Sequence, residues 1–140
     1  MSAIFSALET SQNGLGVYKT WLDAIADNIA NVNTVRASDE QAFAARYIVA
    51  EAVDYGDAAA PGIGNGARVN RVAWGSTEGR LVHQPDHPLA DEDGMVRLPD
   101  IDMNEQMTAM IMAQRGYQAN ISVVERARNV YESALRIGQR

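Results

Sequence analysis

Each end of this 140-residue chain carries an apolar stripe stepping by four and three residues, and that spacing limits the possible folds most. Near the start the stripe is Ile4, Leu8, Ser11, Leu15, Tyr18, Leu22, Ile25, Ile29 and Val32, weak only at Ser11. Near the end it is Met103, Met107, Met110, Gln114, Tyr117, Ile121, Val124, Arg128, Tyr131 and Leu135, with polar breaks at Gln114 and Arg128. Alternating steps of four and three keep one face of an α-helix apolar over many turns. The first stripe predicts a helix of about 30 residues, in which Gly14 and Gly16 each cost about 1 kcal/mol relative to Ala. The second predicts a helix of about 36 residues, about 54 Å long at 1.5 Å per residue. Asp102 with Glu105 three residues later has the form of a capping box, and Gly138 after Arg136 supplies a stop.

The C-terminal segment carries a second stripe beside the first: Ala109, Ala113, Gly116, Asn120, Val123, Ala127, Val130, Ala134 and Ile137. Most of its side chains are small and allow a neighbouring backbone to come close. If the two main stripes bury each other in an antiparallel coiled coil, this small-residue stripe is left uncovered. Helices of such length are unusual in a small chain, since globular helices average about 11–12 residues. The expectation is therefore an assembling protein whose neighbours cover the remaining face, against the plainer alternative of a compact helical hairpin.

Between the helices, residues 36–99 lose helical period. Strands are expected over Phe43–Val53, Arg68–Trp74, Arg80–His83 and Met95–Leu98, with a Gly/Ala loop over Gly56–Gly66. Asp93-Gly94 reads as the turn that feeds the last strand. The expected fold is mainly α with a small β insertion. It divides into an N-terminal helix (1–35), a β-rich middle (36–99) and a C-terminal helix (100–140).

A net charge of -6 argues against nucleic acid or an anionic membrane as the main partner, because both reward basic patches. No apolar run reaches the length of a membrane span. The absence of cysteine excludes disulfides and thiol catalysis. The first residues lack the basic and apolar regions of a secretory leader, so if the protein leaves the cytoplasm, a route that cleaves no leader is expected. His83 and His87 stand four apart, a metal-ligand spacing on a helix, but Pro85 and Pro88 forbid a helix there. Asp91, Asp93 and Gly94 match the middle of a calcium loop, yet Leu89 occupies its first ligand position. Met103, Met107 and Met110 at helical spacing read as packing. No phosphate loop and no nucleophile motif is present. The expectation is no enzyme, no metal and no cofactor, the rival being a small metal-binding enzyme built on His83 and His87.

The first helix runs into a cluster of amides, "DNIANVNTVRA", where a glycine stop is the ordinary ending. Asn tolerates the left-handed C-cap conformation, and its side chain bonds free backbone groups. "DNIANVNT" (27–34), together with "RGYQANISVVERA" and "ALRIG" near the other end, resembles the paired signatures of flagellar rod and hook axial proteins. The segment "LVHQPDHPLADEDGMVRLPDIDMNEQM" (81–107) is most similar to the proximal-rod members, as is the short length. Two departures stand out. The family pattern places Pro-Tyr and a basic pair after its Asn-Thr motif, where this chain has only Arg46-Tyr47. Its C-terminal motif reads Arg-Ala-Tyr-Glu-Ala-Asn, where this chain has Gly116 and Gln118.

The resemblance implies a structural subunit of the basal-body rod, the periplasmic drive shaft of the flagellum. Its terminal helices would line a hollow axis, with the β region outward. Implied partners are further copies of itself, the rod proteins FlgB, FlgF and FliE, and the flagellar type III export apparatus. The other reading within this apparatus is a different axial or adaptor subunit. Isolated subunits must stay unpolymerised during export, so the terminal helices are expected to be largely disordered until assembly. The residues expected to carry assembly are Leu22, Ile25, Ile29, Asn31, Asn33 and Thr34, then Tyr117, Asn120, Ile121, Val124, Tyr131 and Leu135. Among them, Asn31, Asn33 and Thr34 would form a joint between the helical layer and the β region.

Overall fold

The computed structural model describes residues 2–53 and 66–138, with side chains from residue 5 onward. Apart from Gly66, the expected Gly/Ala loop at Gly56–Gly66 lies outside the described residues, as does the side chain of Ile4. Helix α1 covers Ser2–Asn31, 30 residues without a break at Gly14 or Gly16. Helix α2 covers Met103–Gly138, 36 residues. Asp102 caps α2: its Oδ1 accepts from the backbone N–H of Asn104 at 2.7 Å and of Glu105 at 3.3 Å.

Among the described residues, five strands lie between the helices: β1 (Arg36–Ala37), β2 (Arg46–Ala52), β3 (Ala67–Trp74), β4 (Arg80–His83) and β5 (Met95–Leu98). They form two antiparallel sheets, β1-β5-β4 and β2-β3, and the second shifts register between Val49 and Ala50. β4 and β5 occupy the expected residues. β2 begins three residues later than expected, because the chain before it is held by other contacts. Ala42 N–H donates to Thr77 O at 2.9 Å, and Phe43 packs on the cluster of Val32, Ala45 and Ile101. β1 has no counterpart among the expected strands, since two residues are too short to show alternation. At the turn into β5, Asp91 Oδ1 accepts from the backbone N–H of Asp93 at 3.0 Å and of Met95 at 2.8 Å. Gly94 follows with φ 73°, where a Cβ would be strained and would also stand 3.0 Å from His83 Nε2.

Along α1, the residues Asn28, Tyr18, Gly14 and Phe5 meet Gln106, Gly116, Asn120 and Tyr131 of α2 in that order. The two helices therefore run side by side in opposite directions. Helix α1 is the middle layer, with α2 on one side and β2-β3 on the other, whereas α2 touches α1 and none of the described strands. The core gathers at one end, here called the base, where α1 finishes and α2 begins. Ala24, Ile25, Val32, Ala42, Ala45, Val96, Leu98 and Ile101 are buried there or close by.

The face that α2 offers to α1 differs from the expectation. Its two buried residues are Gln106 and Ala113, and Ala109, Gly116, Asn120 and Ala127 are half-buried, so part of the small-residue stripe lies against α1, while its Val123, Val130, Ala134 and Ile137 are exposed. The large stripe is only partly covered, with Met103, Met107, Ile121, Tyr131 and Leu135 exposed. Backbone proximity decides this. Gly116 leaves room for the ring of Tyr18, a close approach that the larger side chains would prevent.

Candidate functional site

Two surfaces carry the residues singled out in the sequence. The first is the joint at the base. Asn28, on the α1 face shared with Ile25 and Val32, is 1% exposed. Its Nδ2 donates to Arg46 O at 2.9 Å and to Gln106 Oε1 at 3.0 Å, and its Oδ1 accepts from Arg46 N–H at 2.7 Å. One buried amide thus ties α1 to the first residue of β2 and to the first turn of α2. A buried amide with its partners satisfied is stabilising and directional; left unpaired it would cost about 1–3 kcal/mol. Arg46 also pairs with Asp27, and its guanidinium stacks 5.2 Å from the centre of the Trp74 ring.

The remaining amides of "DNIANVNT" finish the helix. Asn31 Nδ2 donates to Asp27 O at 2.9 Å, Thr34 N–H donates to Asn31 O at 3.0 Å, and Thr34 Oγ1 donates to Asn31 Oδ1 at 3.1 Å. Asn33 points outward. Asn28, Arg46 and Gln106 were absent from the expected site. The helical phase of Asn28, three residues after Ile25 and four before Val32, was the available signal.

The second surface is the part of α2 turned away from α1. Thr108, Arg115, Ser122, Asn129 and Arg136 recur every seven residues, and all are exposed. They form a polar strip opposite α1. Thr108 and Ser122 bond the carbonyls of Asn104 and Gln118 four residues back, so their hydroxyls are satisfied within the helix. On either side of the strip runs an apolar flank: Met103, Met107, Ile111 and Ile121 on one, and Met112, Val123, Val130 and Ile137 on the other. Exposed apolar side chains along both flanks of so long a helix mark an interaction surface.

The expected assembly residues fall into three groups. Ile25 is 2% exposed and belongs to the interior of the chain, and Leu22, Ile29, Asn31 and Thr34 are half-buried around it. Tyr117, Asn120 and Val124 are half-buried on the side of α2 that faces α1. Asn33, Ile121, Tyr131 and Leu135 are exposed. His83 closes β4, and His87 Nδ1 accepts from the backbone N–H of Leu89 at 3.1 Å, as a loop residue. Among the described residues no helix is long and apolar enough to cross a membrane.

Segments at both ends of the chain match known protein families. Residues 8–37 match the family described as flagella basal body rod protein, and residues 92–137 match the C-terminal region of flagellar basal body rod FlgEFG proteins. The matched segments hold most of α1 and nearly all of α2, and they define a rod protein of the flagellar basal body. The chain is 34% identical to the flagellar basal-body rod protein FlgC of Borreliella burgdorferi, covering 97% of this chain and 98% of that one. It is 32% identical to the FlgC proteins of Yersinia enterocolitica and Salmonella typhimurium, covering 98% of this chain and 99% of each relative. The chain belongs to the FlgC family. It is a structural subunit of the rod in the basal body of the flagellum, it assembles with other rod proteins, and it is not an enzyme.

Proposed function

We propose that the chain polymerises through its terminal helices into the torque-transmitting shaft, with α2 as the main contact between subunits. The observation that carries this reading is the pair of exposed apolar flanks on α2, which none of the described residues covers. Neighbouring subunits bury them, and the helices pack as an antiparallel coiled coil with the polar strip toward the hollow axis. Interiors packed at crystal-like density are poorly compressible, and that is what a shaft under torque needs. Of the expected assembly residues, Asn33, Ile121, Tyr131 and Leu135 contact neighbours directly. Leu22, Ile25, Ile29, Asn31, Thr34, Tyr117, Asn120 and Val124 act by holding the two helices and the β region in place.

The proposed parts are the helix of residues 1–35 in the inner layer, the β-rich residues 36–99 outward, and the helix of residues 100–140 inside. The neighbours are other copies of this chain, FlgB, FlgF and FliE, within the periplasmic space. The subunit reaches them through the flagellar type III export apparatus without loss of a signal peptide. Order in the free subunit is divided: the base stays folded, while the far halves of both helices become fixed on docking.

Deletion of the gene in the source bacterium tests the role. The expected result is loss of swimming and of complete basal bodies; a deletion strain that swims overturns the reading. Ile121→Asp with Leu135→Asp, introduced into the chromosomal copy, should give the same defect by placing charge on the contact surface.

A further inference from the structure

The stripes on both helices repeat every seven residues, so they do not by themselves fix how far one helix is shifted along the other. A slide by seven residues would again bring apolar positions together, and something else must choose the register. Three contacts of the helix pair are specific to one alignment. Tyr18 of α1 lies over Gly116 of α2, where a Cβ would overlap its ring. Asn120 of α2 lies over Gly14 of α1, where a Cβ would stand 2.8 Å from Oδ1 and 3.2 Å from Cγ. Asn28 of α1 bonds Gln106 of α2 at 3.0 Å.

The first two contacts are reciprocal. On each helix the glycine notch precedes the inserted side chain by four residues, Gly14 before Tyr18 and Gly116 before Asn120, so each helix carries one notch and one knob. We propose that this pair of notches, backed by the Asn28–Gln106 bond, is a register lock that lets the helices close in one alignment only. Sliding by seven residues in one direction brings Tyr18 against Val123 and Asn28 against Ala113. Sliding in the other brings Tyr18 against Ala109 and Asn28 against Pro99, beyond the start of α2. Both slides put a Cβ where the tyrosine ring needs space and break the buried bond between Asn28 and Gln106, leaving Asn28 its bonds to Arg46 alone. Asn120 keeps one bond in any register, because its Nδ2 donates to Gly116 O of its own helix at 2.9 Å. Its selectivity therefore comes from the notch. The consequence concerns α2: the lock sets the height at which its apolar flanks stand relative to the β region, and adjacent subunits must share that height for their flanks to meet.

Suppression tests the lock. Gly116→Val fills one notch, and Tyr18→Ala removes the knob that the notch receives. In the source bacterium, Gly116→Val should lower swimming to the level of the deletion strain, and Gly116→Val with Tyr18→Ala should restore most of it. The chain has no cysteine, so paired cysteines can read the register directly. Phe5 and Tyr131 stand with ring centres 6.2 Å apart, and a short bis-maleimide, to which both thiols add, should bridge Phe5→Cys to Tyr131→Cys in otherwise unaltered protein. That bridge should be lost with Gly116→Val and return when Tyr18→Ala is added. Either of two outcomes overturns the lock: Gly116→Val protein that bridges like the parent, or a double variant that behaves as Gly116→Val alone. The swimming readout rests on the rod reading and the bridge does not. A deletion strain that swims would remove the first readout and leave the second standing.

Discussion

The two ends of the helix pair are built differently. At the base, α1 buries Ala24, Ile25, Asn28 and Val32 against the first turns of α2, the start of β2 and the chain around Ile101. At the far end α2 has no buried residue after Ala113, and the aromatic contact of Phe5 with Tyr131 joins two exposed side chains. Both ends follow the same apolar period, so hydrophobic patterning does not separate them. What separates them is how many directions each stretch is covered from. The base of α1 is enclosed by α2 and strands together, whereas the far half of α2 meets one helix on one side. A stretch that is apolar on several faces and covered on one is stable within an assembly and only partly so alone.

Substitutions at the two ends should break this comparison if it is wrong. Ile25→Ala removes a side chain from the enclosed base and should cost about 3 kcal/mol, the usual range for a buried Ile lost to a cavity. Val130→Ala, on the exposed flank, should stay within about 0.5 kcal/mol. Urea unfolding followed by circular dichroism measures both, and equal costs would mean that the two ends are equally enclosed. Asn28→Ala should cost about 2 kcal/mol, because it leaves Arg46 N–H and Gln106 with unmatched buried groups. A loss much below 1 kcal/mol would show that water reaches these partners. Amide exchange on the free subunit sharpens the contrast without any substitution. Residues 20–32 and 103–113 should be the most protected, and residues 121–138 should exchange faster, through frequent local opening of a pair that still closes against α1.

Much of this architecture was legible from spacing. The limits of α1 and α2 followed from the four-three period, and Asp102 announced the start of α2 because a capping side chain acts within its own turn. β4 and β5 were legible for the same local reason. The face of α2 that meets α1 was not, because two apolar stripes compete for one partner and side-chain size alone does not say which wins. The departure at Gly116, where the axial-protein motif has Ala, was the clue: it opens the notch that Tyr18 occupies. The role of Asn28 was also hidden. Its neighbours Asn31 and Asn33 look alike in sequence, and the partners that distinguish it lie 18 and 78 residues away. The amide cluster that resembled a poor helix ending contains an ordinary cap, Asn31 with Thr34, and one buried tie.

The weakest expected effect lies away from both ends, in the turn that leads into β5, and it asks whether the β region adds to the stability of the base. Asp91 accepts a hydrogen bond from Ser38, in the segment after β1, and further bonds from the backbone N–H groups of Met95 and Asp93. The Ser38 bond first, then the backbone bonds, hold its carboxyl below the usual carboxylate range. Glu51 is lowered in the same direction, first by its bond with Arg68 and then by Asn70. A carboxyl lowered on folding binds protons more readily in the unfolded chain. Its contribution is therefore complete above the ordinary carboxylate value of about 4 and fades as the pH falls through the lower folded value. Asp91 is exposed, and Glu51 is half-buried in an ion pair with the exposed Arg68, so the effect on the melting temperature is small. Asp91→Asn keeps the shape and removes the titration. Melting temperatures of the parent and this variant should converge as the pH falls from 7 to 3. If their separation is the same at every pH, the Asp91 charge makes no difference to the turn, and the β region is held by its strands alone.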